Sequence, residues 1–285
     1  MAGIKLGSTD VTAIKLGSTD IQKIYRGSDL VFELSSLDPD AQAFLTATGI
    51  TDATITTAIN DLVLDLKSNS LWTKMQIVYP FVGGTATTHK YNLKDPQDTD
   101  AAFRMTFNGG WTHDANGVKG NGTNTYGDTH WSAQNVSNGV HWSFNTNLAG
   151  SGGQRYDMGS VPGGDWALIS NFQGTGSGTM YWLAGSGGYL TNSTSGRLGF
   201  MTGTSNGTNF RSISKNGTQQ TSDTNGAIGN QIANCWFGCT QYFGGTPNNI
   251  SEGRYDFCSI GEQLTSTDIS NLETIQTDFN TALSR

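Results

Sequence analysis

The sequence predicts a mainly β protein: a repeat β arm, a short αα-hairpin connector, an antiparallel β-sandwich and a C-terminal helix. Three observations point there. Charged residues make up only 14 % of the chain while Gly reaches 38 residues and aromatics 10 %, a composition of short strands joined by many turns around an aromatic core. Seven apolar runs follow one another between Gly-rich turns. A decapeptide is written three times near the start.

The repeat is Ile4-Lys5-Leu6-Gly7-Ser8-Thr9-Asp10, returning as Ile14 to Asp20 and, loosely, as Ile24-Tyr25-Arg26-Gly27-Ser28-Asp29. Each copy reads as strand, Gly-containing turn, strand. Its apolar positions are Ile4, Leu6, Ile14, Leu16 and Ile24. Units this small cannot bury a face alone, so they stack on one another or on something else. An anchoring arm over residues 1–36 is the favoured expectation, with a β-meander packed on the body as the alternative.

Residues 37–72 read as a helical connector. Asp38-Pro39 starts a helix with Pro at its first position, and Gly49 stops it. Thr51 or Asp52 then caps a second helix, in which Ile55, Ile59, Leu62 and Leu66 keep helical spacing. From residue 73 to residue 285 the pattern is that of the sandwich and its closing helix. The candidate strands are Met75–Gly84, Arg104–Trp111, His141–Leu148, Trp166–Phe172, Thr179–Gly185, Arg197–Gly203 and Asn209–Gly217. Thr265 to Asp268 forms a capping box in which Asp stands for the usual Glu. Ile269, Leu272, Ile275, Phe279 and Leu283 then make one apolar stripe.

Several function classes are excluded at this level. A formal net charge of −7 without a Lys/Arg cluster argues against a nucleic-acid partner. No apolar run approaches the length of a membrane span, so no membrane partner is expected. Met1 to Lys5 lacks the apolar run of a signal peptide. Cys235, Cys239 and Cys258 are too few for a disulfide framework and lack zinc-like spacing, so buried or half-buried free thiols are expected.

Three stretches carry a resemblance: YPFVGGTATTHKYNLKDP (79–96), FNGGWTHDANGVKGNGTNTYGDT (107–129) and YDFCSIGEQLTSTDISNLETIQTDFNTALSR (255–285). They resemble virion proteins of tailed bacteriophages that carry a concanavalin A-like, laminin-G-type jelly roll. In that family the last strand runs into a helix with a Phe near its end. The decapeptide region is similar to small β arms on phage structural proteins. The resemblance implies a virion component assembled in the host bacterial cytoplasm and displayed on the capsid or tail as a fibre, appendage or decoration. Its arm would insert into capsid, collar or tail proteins, and the chain would form a homo-oligomer, a trimer by family habit. Host-surface polysaccharide would be a further partner.

The chemistry legible in the residues favours binding over catalysis. A glycoside hydrolase needs two carboxylates across the scissile bond, and the chain holds only Glu33, Glu252, Glu262 and Glu273 as glutamates. Glu252 and Asp256, four apart and on one face if in a strand, are the best pair for a depolymerase, the alternative function; the edge-strand acid beside a turn is the ordinary explanation. His89, His113, His130 and His141 stand near no nucleophile elbow, so no catalytic residue is expected. Asp157 and Asp165 are the calcium candidates, without a spacing that supports them; no other cofactor or metal is expected. Sugars stack on aromatic rings and hydrogen-bond to amides. Tyr156, Trp166, Tyr181, Trp182 and Tyr189, around Gly/Ser-rich loops, are therefore the glycan-binding candidates.

Overall fold

The computed structural model of the chain describes residues 5–6, 9–10, 15–16, 19–20, 23–26, 29–33, 37–150, 155–161, 167–170, 179–184, 188–193, 196–225, 233–242 and 245–285. The chain divides into two compact units, Met1–Asp38 and Pro39–Arg285. In the first, each decapeptide folds on itself. Lys5–Leu6 pairs with Thr9–Asp10, Lys15–Leu16 with Thr19–Asp20, and Lys23–Arg26 with Asp29–Glu33, all antiparallel. Among the described residues no ladder joins one hairpin to the next. Ile4 and Ile14, and the side chains of Leu6, Leu16 and Ile24, lie outside the described residues.

The second unit is a sandwich of two sheets. One orders its strands as Thr218–Asp223, Arg211–Lys215, Gly199–Ser205, Val140–Leu148, Arg254–Gly261, Gly117–Lys119 and Thr112–Asp114, and Met75–Tyr79 pairs with the far half of Arg254–Gly261. The other runs Leu190–Ser193, Thr179–Ala184, Ala167–Ser170, Met158–Val161, Trp236–Phe237, Tyr126–Asp128 and Thr106–Asn108. Thr240–Tyr242 joins it in parallel beside Met158–Val161. Every candidate strand of the sequence reading overlaps one of these strands.

Alternation explains why the two sheets meet. Val140, Trp142 and Phe144 of one central strand, Tyr255, Cys258 and Ile260 of its neighbour, and Met158, Ile169 and Phe237 of the opposite sheet share one buried core. The residues between them, His141, Ser143 and Ser259, are equally buried, but on the first sheet's outer face. The pairing of these two strands is interrupted on either side of Thr146. Asn145 pairs with Phe257 and Thr146 with Tyr255, which leaves Asp256 as the extra residue of a β-bulge. Tyr255 and Cys258 then both reach the core, while Phe257 faces the helical side. Gly117 sits opposite this bulge at φ +110°, where a Cβ would come within 2.0 Å of the Tyr255 carbonyl, so only glycine fits.

Helix α1 spans Pro39–Thr48 and α2 spans Ala53–Ser68, capped by the Asp52 carboxylate on the Ile55 N–H at 2.9 Å. After the short α3, Ala86–His89, the remaining helix is α4, Ser266–Ala282. Thr265 and Asp268 close its capping box. The α1–α2 hairpin belongs to the same compact unit as the sandwich, because α2 packs on both α1 and α4. Ile269, Leu272, Ile275 and Phe279 are buried as the stripe requires, Leu283 is the half-buried C-cap instead, and Phe279 packs edge-on to Phe257. The three cysteines are free and buried: Cys235 and Cys258 in the main core, Cys239 beside Trp236 and Ile250.

Phe279→Ala is expected to destabilise Pro39–Arg285 by about 3–5 kcal/mol, the range for truncating a buried Phe. Urea unfolding of the variant against wild type measures it; an unchanged midpoint would mean that α4 is not seated as described.

Candidate functional site

The acid pair is divided by the bulge. Glu252 precedes the strand Arg254–Gly261 rather than lying in it, so the expected shared strand face does not form. Glu252 accepts from the Arg155 guanidinium at 3.3 Å, and Arg155 also holds the carbonyls of Gly122 and Ile250. Glu252 lines a rim hollow of about 280 Å³ with Lys119, Asn121 and Leu148. Asp256 is 1 % exposed. Its carboxylate takes the Asn145 amide at 2.9 and 3.0 Å and the Asn147 amide at 2.8 Å. Burial raises its pKa, opposed by Arg285 and by the amides of Asn280, Asn145 and Asn147. One acid is thus spent on an arginine and the other is sealed beneath amides.

Of the aromatic candidates, the two with described side chains, Tyr156 and Tyr189, stand apart. Tyr156 is buried, with its backbone N–H on the Asn249 carbonyl. Tyr189 is 42 % exposed, beside the edge strand Leu190–Ser193. Three ladder spacings, about 14 Å, separate that strand from Met158–Val161 after Tyr156. Tyr181 and Trp182 lie in Thr179–Ala184, where Trp182 is the register partner of the core residues Ile169 and Leu190; their side chains, and Trp166 entirely, lie outside the described residues. Of the calcium candidates, Asp165 also lies outside them. Asp157 accepts from the hydroxyls of Tyr255 and Ser251 inside the core, so its carboxylate is committed to structure. Among the described residues no group of three or more His, Cys, Asp or Glu is placed to hold a metal ion.

The histidines form structural contacts. The His141 Nδ1–H donates to the Glu262 carbonyl at 2.6 Å, so Nε2 accepts from the Ser259 hydroxyl at 3.2 Å, which in turn accepts from Ser143 at 2.5 Å. This resembles a Ser–His relay, but all three side chains are 0 % exposed and no substrate can reach them. The His89 Nε2 accepts the Gly84 N–H at 3.1 Å, so its proton sits on Nδ1 and goes to the His113 Nδ1 at 3.0 Å. Desolvation holds the pKa of His141 down at about 4, and desolvation with His113 and Arg285 holds His89 at about 3.

Polar side chains converge instead between α4 and the outer face of the first sheet. A cleft of about 310 Å³ is walled by Asn145 and Asn216 from the sheet side and by Glu273, Gln276 and Thr277 from α4, with Arg285 at one end. The Asn216-Gly217 hairpin turn has φ of +46° and +72°, the two-residue turn that Asn-Gly favours. It turns the Asn216 side chain back over Gly199, where a Cβ would meet its Oδ1 at 2.3 Å. Arg285 closes the cleft as a clamp. Its Nε–H goes to Asn280 Oδ1, Nη1 donates to the carbonyls of Phe81 and Ala115, and Nη2 to those of Pro80 and Asp256. Nothing in the residue types marked this cleft in advance; the only signal was the density of Asn, Gln and Thr beside the α4 stripe.

No protein-family model matches the chain, and no curated protein matches it. The solved structures similar to it in fold include the following three. Domain 4 of an extracellular arabinanase from Geobacillus stearothermophilus, in complex with arabinotriose, is 15 % identical with a TM-score of 0.47, over 70 % of this chain and 98 % of that one. The binding domain of botulinum neurotoxin serotype G is 13 % identical with a TM-score of 0.46, over 71 % of this chain and 51 % of that one. The NanB sialidase from Streptococcus pneumoniae is 12 % identical with a TM-score of 0.37, over 47 % of this chain and 24 % of that one. The chain thus matches about half of the neurotoxin domain and a quarter of the sialidase.

Stability should fall on acidification. Both buried histidines have folded pKa values below the unfolded 6.5, so the unfolded chain binds more protons from pH 6.5 downward. The loss runs to about pH 4 for His141 and about pH 3 for His89, at about 1.4 kcal/mol per pH unit for each. Asp256, raised by burial, works in the opposite sense as it protonates. Thermal melts at pH 7, 5.5 and 4.5 should show a falling midpoint, and His141→Asn should flatten the slope.

Proposed function

We propose that the chain is a structural virion protein of a tailed phage, displayed on the capsid or tail as a fibre, appendage or decoration. Its decapeptide hairpins anchor it to other virion proteins, and its sandwich adheres to host-surface glycans without cleaving them. The division into two compact units, Met1–Asp38 and Pro39–Arg285, carries the proposal. Hairpin ladders of two to four residue pairs are marginal alone in water, and among the described residues no further strand pairs with their edges. An arm built this way gains its order from a partner. A trimer would give each arm a neighbouring edge, and repeated weak sugar contacts gain from being displayed together.

The rejection of catalysis rests on the two acids: Glu252 is paired with Arg155, and Asp256 is buried under three amides. A depolymerase needs one of them to stay protonated and reach a glycosidic oxygen while the other approaches the anomeric carbon.

Deleting residues 1–36 should abolish incorporation into particles while leaving the melting temperature of the remainder unchanged. Incorporation of the truncated chain at the wild-type level would overturn the anchoring role. Incubation of the full chain with host polysaccharide should release no reducing ends; sustained release that disappears in Glu252→Gln would establish the depolymerase instead. The mass of the soluble protein at micromolar concentration should be that of a trimer.

A further inference from the structure

We infer that the cleft between α4 and the outer face of the first sheet binds a single neutral sugar unit through Gln276, Asn145 and Asn216. The inference deepens the glycan-adhesion proposal and rests on it for the source of the sugar. Gln276 carries it. The residue is 2 % exposed, lines the cleft, and its amide makes no hydrogen bond among the described residues. Buried side-chain amides are nearly always paired, and one that is not calls for a cause. The amide atoms open onto the cleft rather than lying sealed, so Leu or Met at this position of α4 would remove a largely desolvated polar group that the protein itself leaves unpaired. A ligand hydroxyl, donating to Oε1 and accepting from Nε2, supplies what the protein does not.

The neighbouring amides are half-used in a complementary way. Asn145 must turn its NH₂ to the Asp256 carboxylate, which leaves its Oδ1 as a free acceptor. Asn216 must turn its Oδ1 to the Phe200 N–H at 2.9 Å, which leaves its Nδ2 as a free donor. The network thus assigns both amide orientations. Together with Gln276 the walls present donors and acceptors in near balance, as hydroxyl groups require because each both donates and accepts.

Charge selects against an acidic ligand. Arg285 lines the cleft, but a guanidinium has five N–H donors, and each of the five is directed at Asn280, Phe81, Ala115, Pro80 or Asp256. The half-buried Glu273 on the other wall repels an anion. The volume, about 310 Å³, lies at the small end of ligand pockets and suits one ring rather than a chain. Phe200 is 2 % exposed and offers little face for stacking, so affinity per site should be millimolar.

The experiment follows the side-chain amide resonances of Gln276, Asn145 and Asn216 in the full chain on titration with glucose, galactose, mannose, N-acetylglucosamine and glucuronate. At least one neutral sugar should shift these resonances saturably, and glucuronate should bind more weakly than glucose. Gln276→Leu should weaken the binding by about tenfold or more while its melting temperature stays level or rises. Thr277→Phe, at an exposed position on the mouth of the cleft, should block binding without disturbing the fold. Absence of shifts with all four neutral sugars, or shifts that survive both substitutions, would overturn the inference. Binding of the full chain to host polysaccharide is measured alongside. If the polysaccharide binds and both variants bind it equally well, the cleft is not the site and the adhesion proposal stands. If a monosaccharide saturates the cleft but the polysaccharide is not bound, the cleft is a sugar site and the adhesion proposal fails.

Discussion

The guanidinium of Arg285 fixes the relation between α4 and the sandwich. Its carbonyl partners come from the segment after Met75–Tyr79, from the turn between Thr112–Asp114 and Gly117–Lys119, and from the bulge in Arg254–Gly261. These are places where the chain leaves regular pairing, and a carbonyl there needs a donor from elsewhere. The charge lies over the Phe279 ring at 5.3 Å, so the same residue touches the apolar stripe and the polar floor. Burial pushes its pKa down only to about 10, and it stays a cation at neutral pH. A lysine could not replace it, because three rotatable donors cannot reach carbonyls arranged around a planar fork.

The bulge at Asp256 is the second constraint, and it is coupled to the first. Without the extra residue, Phe257 and Cys258 would exchange faces, and α4 would lose its aromatic counterpart. With it, Asp256 brings a carboxylate under the helix, and Asn145, Asn147 and the Arg285 charge exist around it as compensation. The sheet's outer face is polar and buried here and beyond, at His141, Ser143, Thr204 and Ser259. Most of that polarity is satisfied internally, as by Thr204 between the Val140 carbonyl and the Leu264 backbone. Compensation is incomplete at the buried Asn147 Oδ1 and Thr202 Oγ1, and in the cleft polar groups are left open.

Much of this was legible in the sequence and some was not. The α4 stripe, a cap at Thr51 or Asp52 and the strand runs were readable because they are local: period, cap chemistry and turn residues decide them within a few positions. The strands Met158–Val161 and Thr218–Asp223 were not, since one is short and Gly-containing and the other polar throughout. The Glu252–Asp256 pair misled because a spacing of four implies one face only in an unbroken strand. Tyr156 misled because an aromatic beside glycines is read as a loop residue, whereas tertiary packing buries it. Gln276 gave no signal, because a Gln in an amphipathic helix is ordinary until the neighbours that fail to pair with it are known.

The three thiols give the molecule a chemical property of another kind. Cys235, Cys239 and Cys258 are between 0 and 1 % exposed, and desolvation above all pushes each thiol pKa upward. Alkylating reagents attack the thiolate of an accessible cysteine, so the folded protein is inert to them and reacts only through openings. Cys239 lies in the small cluster around Trp236 and Ile250, apart from the core that holds Cys258. Its labelling rate times the loosening of that outer cluster, while labelling of Cys258 times the parting of the sheets. Two native clocks, needing no introduced probe, thus run in one chain at different depths.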